Sequence, residues 1–434
     1  MNKRLLSLTL VLCMALSGAG RPLSQLKQPL SQSLTLADCR QMAHDNYPAI
    51  RQYDIIEQSR DYTLANAAKA WLPQLSASAG AYAFTDILKT TQRNAQMGID
   101  MKNYMGNASV VLRQNVYDGG QTAARKRLVK AEADVQGRQL DVTMYAINER
   151  VEQLFFGVLL LDEQLRLNAL LHNDLTTSEQ TVRSMMRGGI ANQSDLDAIL
   201  VEIVKTDQQK DALEASRQSY LRMLGVLTGK ELGAETTLVK PSADASPLPK
   251  DSWGQHRPEL SFFTSQNLLL DAQRRQLDTR LRPTVSIFGL GMAHSRVTDM
   301  MNDGVLAAGV SLSWNIGALY TRKNDIRKLN LQRQLNDSQR DVFLFNNRLQ
   351  NEEVDGTIAS LRRQIAKDEE IVRLRESIRS KSDRKVELGT ESVNELVRDI
   401  NAVSVARAQK AQHEVELLRE MCKKQNINGE SPSP

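Results

Sequence analysis

Large aromatic side chains are scarce in this sequence: Phe, Trp and Tyr together make up 5% of 434 residues. That leaves little to fill the two or three compact cores that the length alone would suggest, and with only 11 prolines the chain reads mostly as extended helix. Beyond the N-terminus no apolar run approaches the ~20 residues of a helical membrane span, so that class is excluded. Cysteine is nearly absent. Cys13 lies in the first apolar run, and without it only Cys39 and Cys422 remain. A disulfide framework is excluded, at most one bridge is possible, and two free buried thiols are expected. Charge of one sign is lacking too: the formal net charge is +5, or +3 without Lys3 and Arg4, so nothing demands nucleic acid.

What is present begins with Lys3 and Arg4, apolar Leu5 to Leu16, and small Ser17, Gly18, Ala19 and Gly20. This is the build of a secretory signal peptide over residues 1–20, and it predicts export. Cys13 sits inside the apolar run rather than at the cleavage junction, so lipidation is not expected.

The rest of the chain says one thing twice. Pro73 and Pro283 are 210 residues apart, Gly120 and Gly317 are 197 apart, and Gly189 and Gly389 are 200 apart. Each copy reads as strand, strand, long helix, glycine turn and return helix, a period too long for a solenoid. The first repeat, 21–228, opens with a flexible lead and a helix from Thr35-Leu36-Ala37-Asp38 to Trp71, which Pro73 ends. Strands over 74–86 and 107–117 then alternate Leu75, Ala77, Ala79 and Ala108, Val110, Leu112, Val116 with small and polar residues.

Gly119-Gly120 releases a helix over 121–186. Its seam Leu140, Met144, Ile147, Val151, Leu154, Val158, Leu161 and Leu165 keeps coiled-coil spacing. Gly188-Gly189 stops it, and Asn192 or Ser194 can cap a return helix over 192–227. A Pro- and Gly-containing linker covers 229–256. The second repeat, 257–424, has strands over 284–295 and 305–316 and helices over 320–387 and 391–424. Leu306, Ala308, Val310, Leu312, Trp314 and Ile316 share one strand face, and Val354, Ile358, Leu361, Ile365 and Val372 form the helix seam. Residues 425–434 read as a disordered tail.

Strands of 10 to 13 residues with one apolar face match a transmembrane β-strand, for which ~9–11 residues suffice. Four of them cannot close a barrel, and an open edge is not tolerated in lipid, so the chain must oligomerise or pair its strands elsewhere. The ordered motifs Trp71-Leu72-Pro73, Gln114-Asn115-Val116-Tyr117-Asp118-Gly119-Gly120, its echo Ser313-Trp314-Asn315-Ile316-Gly317, and the two glycine tips Gly189–Leu196 and Gly389–Leu396 resemble the TolC-like outer membrane efflux family over residues 34–424.

The resemblance implies an α+β, mostly α fold. Long antiparallel coiled-coil helices would form an α-barrel, and four strands per chain would contribute to a twelve-stranded transmembrane barrel in a homotrimer. It implies a passive export duct in the Gram-negative outer membrane that extends into the periplasm and serves a tripartite efflux or type I secretion system. The duct would work with a periplasmic adaptor and an inner-membrane pump of the RND, ABC or another class, without a cofactor. Loops 86–106 and 296–304 would face outward. Pro73, Gly119, Gly120, Pro283 and Gly317 would form the strand-to-helix junctions.

The tips would face the periplasm, with Gly188, Gly189, Gly389 and Thr390 at the adaptor-docking turns. Matched to the family pattern, Ser194, Asp195, Glu391, Glu395 and Arg398 fall where the closed constriction lies. Glu391 stands where the best-known pattern has a basic residue and Arg398 where it has an acidic one, so any electrostatic lock is rewired. The expectation is a three-fold Glu395 ring, with Glu391 and Arg398 in bridges that hold the tips shut. The alternative is ordinary solvated residues favouring a helix N-terminus.

Other signals are weak. Gly225-Val226-Leu227-Thr228-Gly229-Lys230 is one residue short of a phosphate loop, the five histidines lack ligand spacing, and no catalytic grouping points to an enzyme. A second class stays open: a secreted coiled-coil scaffold or adhesin with a small soluble sheet.

Overall fold

The computed structural model describes residues 33–83, 104–242, 254–294 and 304–429. The expected signal peptide, most of both expected external loops, and residues 430–434 lie outside them. In chain order the elements are β1 (Ser33–Leu34), α1 (Leu36–Asn46), α2 (Arg51–Ala68), β2 (Gln74–Ala83) and β3 (Tyr104–Tyr117), then α3 (Gln121–Tyr145), α4 (Ile147–Arg187) and α5 (Gln193–Thr228). They continue with β4 (Thr237–Leu238), α6 (Pro258–Thr279), β5 (Thr284–His294), β6 (Gly304–Ser313), α7 (Ala318–Glu387) and α8 (Val393–Asn428). The 70 residues of α7 span about 105 Å at ~1.5 Å per residue.

β2, β3, β5 and β6 form an antiparallel sheet in that order. Its register puts the apolar residues of β2 and most of those of β3 and β6 on one face, with the small residues Gly289 and Gly291 of β5. Leu75 pairs with Leu112, Leu112 with Gly289 and Gly289 with Ala308, while Ala77, Val110, Gly291 and Leu306 make the next row. The other face carries Gln74, Ser76, Ser78, Asn107, Ser109 and Arg113, broken by Val111, Phe288, Leu290 and Met292. The apolar face is uncovered: Leu306 is 91% exposed and Val310 70%. Strand β6 ends at Ser313, so Trp314 and Ile316 do not continue its face. Instead the Trp314 indole donates to Leu281 O at 2.9 Å and closes the junction.

The fold departs from the sequence reading in four places. Pro48, which cannot donate an amide, splits the first helix into α1 and α2. A one-residue turn at Ala146 separates α3 from α4, yet Leu140, Met144, Ile147, Val151, Leu154 and Val158 are all buried, so the seam runs through it. Below Val158 the seam slips: Leu161 and Leu165 are half-buried, and burial passes to Leu167 and Leu175. Third, the ends of lead and linker are ordered by each other, for Ser33–Leu34 pairs in parallel with Thr237–Leu238.

Fourth, α8 continues through residues 425–428, which the sequence assigns to a disordered tail. Asn351 and Asn428 exchange side-chain hydrogen bonds at 3.1 Å each, and Asn347 Nδ2 donates to Ile427 O at 2.6 Å. Three buried amides thus clasp the end of α8 to the middle of α7. Asn428→Ala should cost ~1–3 kcal/mol by leaving the buried Asn351 Oδ1 without its donor, read as a lower denaturation midpoint. An unchanged midpoint would show that the clasp adds nothing.

Two apolar clusters hold the helices. One joins the tips through Leu175, Val182, Ile199, Val386, Leu396 and Ile400. The other lies at the equator, where α1 packs on α4, α5 and α8, and contains both Cys39 and Cys422. The two thiols are free. Burial pushes them up, Cys39 to about 12 and Cys422 to about 11, so both stay protonated and unreactive.

Candidate functional site

The two tips are built alike. At the first, Gly189 has φ +75°, its amide donates to Met186 O at 3.0 Å, and the Ile190 amide donates to Met185 O at 2.9 Å. At the second, Gly389 has φ +70°, its amide donates to Val386 O at 2.9 Å, and the Thr390 amide donates to Lys385 O at 2.8 Å. A left-handed glycine satisfies the last carbonyls of one helix and reverses the chain. Gly188, by contrast, is right-handed. Exposed Ile190 and Leu388 cap the tips with apolar surface.

The return helices begin on side-chain caps. Asn192, not Ser194, caps α5: Asp195 N donates to Asn192 Oδ1 at 3.1 Å, and Asn192 N donates to Asp195 Oδ2 at 3.0 Å. Asp195 is therefore engaged by backbone, and Ser194 is exposed. On α8, Glu395 N donates to Ser392 Oγ at 3.3 Å.

Glu391 and Arg398 do not bridge one another. Arg398 lies 3.6 Å from Glu395, both partly solvated, while Glu391 reaches Lys385 at 3.6 Å and accepts from Ser382 Oγ at 3.5 Å. One carboxylate oxygen of Glu391 is buried without a hydrogen bond.

A second polar group, which the sequence reading missed, ties three helices together just above the tips. Arg379 of α7 meets Asp174 of α4 at 2.5 Å, Arg407 of α8 meets Glu376 of α7 at 2.6 Å, and Ser382 Oγ donates to Asp399 Oδ2 at 2.5 Å. Burial raises the Asp383 carboxyl although Arg379 opposes it. These partners are more than thirty residues apart in most pairs, and charged residues on heptad flanks carry no signal that identifies their partner.

At the other end of the long helices the junctions converge. Gly119 and Gly120 have φ +65° and +85°, and a Cβ on Gly119 would lie 2.8 Å from Arg282 Cβ and 3.2 Å from Pro283 O. Asp118 accepts from Gly120 N at 2.8 Å and Thr122 N at 2.7 Å. Burial would raise its carboxyl, but these hydrogen bonds win and hold it below the ordinary value. Pro73 and Pro283 precede β2 and β5. Gly317, the expected echo of Gly120, has φ −58° and simply precedes α7 as an ordinary right-handed residue.

Among the described residues no group of His, Cys, Asp and Glu could hold a metal ion, and no helix is long and apolar enough to cross a membrane.

Residues 39–230 match the model of the outer membrane efflux protein family. No curated protein matches the chain. Among solved structures, CusC, reported in connection with folding and transmembrane channel formation, is 12% identical, with a TM-score of 0.68 over 96% of this chain and 99% of its own. The outer membrane protein VceC of Vibrio cholerae is 10% identical, with a TM-score of 0.65 over 91% of this chain and 96% of its own. The MtrE outer membrane channel of Neisseria gonorrhoeae is 14% identical, with a TM-score of 0.60 over 91% and 89%. At such identities the likeness is one of fold. Residues 39–230, which hold most of the first repeat, thus resemble the outer membrane efflux protein family, and the chain as a whole shares the fold of these outer-membrane proteins.

Proposed function

We propose that three copies of this chain close into one export duct, with a twelve-stranded barrel in the outer membrane and a helical tunnel in the periplasm. The observation that carries this reading is that both layers end on the same two edges. The sheet runs β2-β3-β5-β6. The helices near it pack α2 on α3, α3 on α6 and α6 on α7, and those near the tips pack α5 on α4, α4 on α8 and α8 on α7.

One edge is thus β2 with α2 and α5, the other β6 with α7. Among the described residues both are unpartnered: Leu331, Leu335, Val342, Phe345 and Leu349 of α7 and Ile55 and Tyr62 of α2 are exposed. Joining unlike edges by a rotation makes a ring and removes every open strand. Lipid then covers the face of Leu75, Val110, Leu112, Leu306 and Val310, which a small soluble sheet would have to bury.

Such a duct is passive. A periplasmic adaptor would meet the tips around Gly188, Gly189, Gly389 and Thr390, and an inner-membrane pump would supply the energy. The protein is expected in the outer membrane fraction, migrating as a trimer on gels until heated. Recovery in the soluble periplasmic fraction would overturn the duct.

The constriction is assigned to the mouth between the tips, with Glu395 the acid that faces the axis and Arg398 its partner in the same chain. Three such carboxylates would attract cations. In planar bilayers Glu395→Ala should weaken cation preference and block by divalent cations, and Arg398→Ala should strengthen both. Unchanged selectivity in both variants would return Glu395 to the role of a solvated first-turn residue.

A further inference from the structure

The lower half of α7 carries a stripe that nothing among the described residues covers. Arg363, Lys367, Ile371, Leu374, Ile378 and Lys381 are all exposed, at spacings of 4, 4, 3, 4 and 3 that keep them on one side of a helix. The stripe lies roughly 200–280° around α7 from the buried Leu361, at ~100° per residue, so it faces away from α8. Among the described residues Lys367 and Lys381 form no ion pair.

A matching stripe runs along α5. Asp197, Val201, Val204, Gln208 and Asp211 are exposed, about 140° from the buried Leu196 and Ile199. Asp211 forms no ion pair among the described residues, and Asp197 accepts only from Gln193 of its own helix, at 2.7 Å.

Both helices are measured from the same place. α7 ends at Glu387 and α5 begins at Gln193, each one turn from its tip, and the tips share one apolar cluster. Counted upward, Lys381 is level with Asp197, Ile378 with Val201, Leu374 with Val204 and Lys367 with Asp211, every pair matched to within two residues, or about 3 Å. Ile371 falls opposite Gln208, the one mismatch. Charge meets opposite charge at both ends of the run and apolar meets apolar between them.

We propose that this is the seam between subunits: α7 of one copy lies antiparallel to α5 of the next, in the register Lys381·Asp197, Ile378·Val201, Leu374·Val204 and Lys367·Asp211. The occupant is a second copy of this chain. Pairing α7 with α7, both tips pointing the same way, would set Lys367 and Lys381 against themselves. Like charges placed together cost several kcal/mol, so the seam is built to reject a two-fold dimer and to close a ring. It rests on the ring proposed above and adds to it a register and a set of partners.

The test uses the full chain in detergent with Leu374→Cys and Val204→Cys together. Both positions are exposed, and the buried Cys39 and Cys422 remain as they are. Mild oxidation should give a covalent trimer, and neither single variant should.

In parallel, Lys367→Glu should reduce the trimer surviving a fixed heating step by about tenfold or more, and adding Asp211→Lys should restore it. A trimeric protein that cross-links only through Leu374→Cys with Asp211→Cys or Asp197→Cys would overturn the register and leave the ring standing. A monomeric protein, by light scattering, would overturn the ring and the seam with it.

Discussion

Gly119→Val should lose ~3–5 kcal/mol and almost all membrane-inserted protein, whereas Gly317→Ala should be harmless or stabilising by ~0.4–1 kcal/mol. Both glycines stand at strand-to-helix junctions, Gly317 as the expected echo of Gly120 next to Gly119, and their surroundings separate them. Gly119 has φ +65°, a conformation that costs an ordinary L-residue ~1–2 kcal/mol and a β-branched one more. Its missing Cβ is also the contact between the junctions, since 2.8 Å to Arg282 Cβ and 3.2 Å to Pro283 O leave no room for a carbon.

Gly120, at φ +85° with nothing nearer than 3.5 Å, should show the backbone cost of ~1–2 kcal/mol alone when changed to Ala. Gly317 has φ −58° and its nearest neighbour is Asn315 Oδ1 at 3.4 Å, so alanine fits and only unfolded-chain entropy changes. Denaturation midpoints in detergent and the yield in the membrane fraction should rank the variants in that order. Equal losses at Gly119 and Gly317 would mean that the close approach has no energetic weight.

The contrast shows what a sequence can convey. The tips were legible because a glycine after a long heptad and a capping residue three positions before an acid are local signals, settled within one turn of helix. The faces of the strands were legible for the same reason: period two needs only neighbours, and the sheet register then placed Leu75, Leu112 and Ala308 in one row.

Gly317 misled because two glycines at matching offsets carry no information about φ. The family pattern sets Asp195 and Glu395 at a gate, while Asn192-x-x-Asp195 is also a capping box, in which the Asn192 amide engages the Asp195 carboxylate. The partners of Arg379, Arg407 and Asn428 lie far away in the chain and were illegible. Composition misleads at the start of the expected tail: Asn426, Ile427 and Asn428 look polar and loose, yet Asn347 and Asn351 of α7 hold Ile427 and Asn428, and Tyr145 and Arg257 hold the Asn426 carbonyl.

The second large effect belongs to the equator, at the pair Arg40 and Glu152. Their side chains are 9% and 4% exposed, and Arg40 Nη2 meets Glu152 Oε1 at 2.5 Å, joining α1 to α4. Removing one partner strands a charge in the core, so Arg40→Ala should cost ~3–5 kcal/mol. Replacing both with apolar side chains of similar size, as in Arg40→Met with Glu152→Leu, should recover most of that loss, because Arg40 Nε is already buried without a partner.

The pH dependence follows from the carboxyl. Burial raises Glu152 above its ordinary value, and Arg40 opposes the rise. A folded-state value above the unfolded one means stability that is present at low pH and lost as pH climbs through the raised value. Without the guanidinium the rise is larger. The Arg40→Ala protein should therefore be weakest at neutral pH and regain stability as pH falls toward the ordinary carboxylate range, ~4–5. In the double variant that recovery should vanish, since the carboxyl that titrates there is gone. Denaturation midpoints of the three proteins across this range measure it, and a parallel pH response in all three would show that Glu152 does not govern the equatorial core.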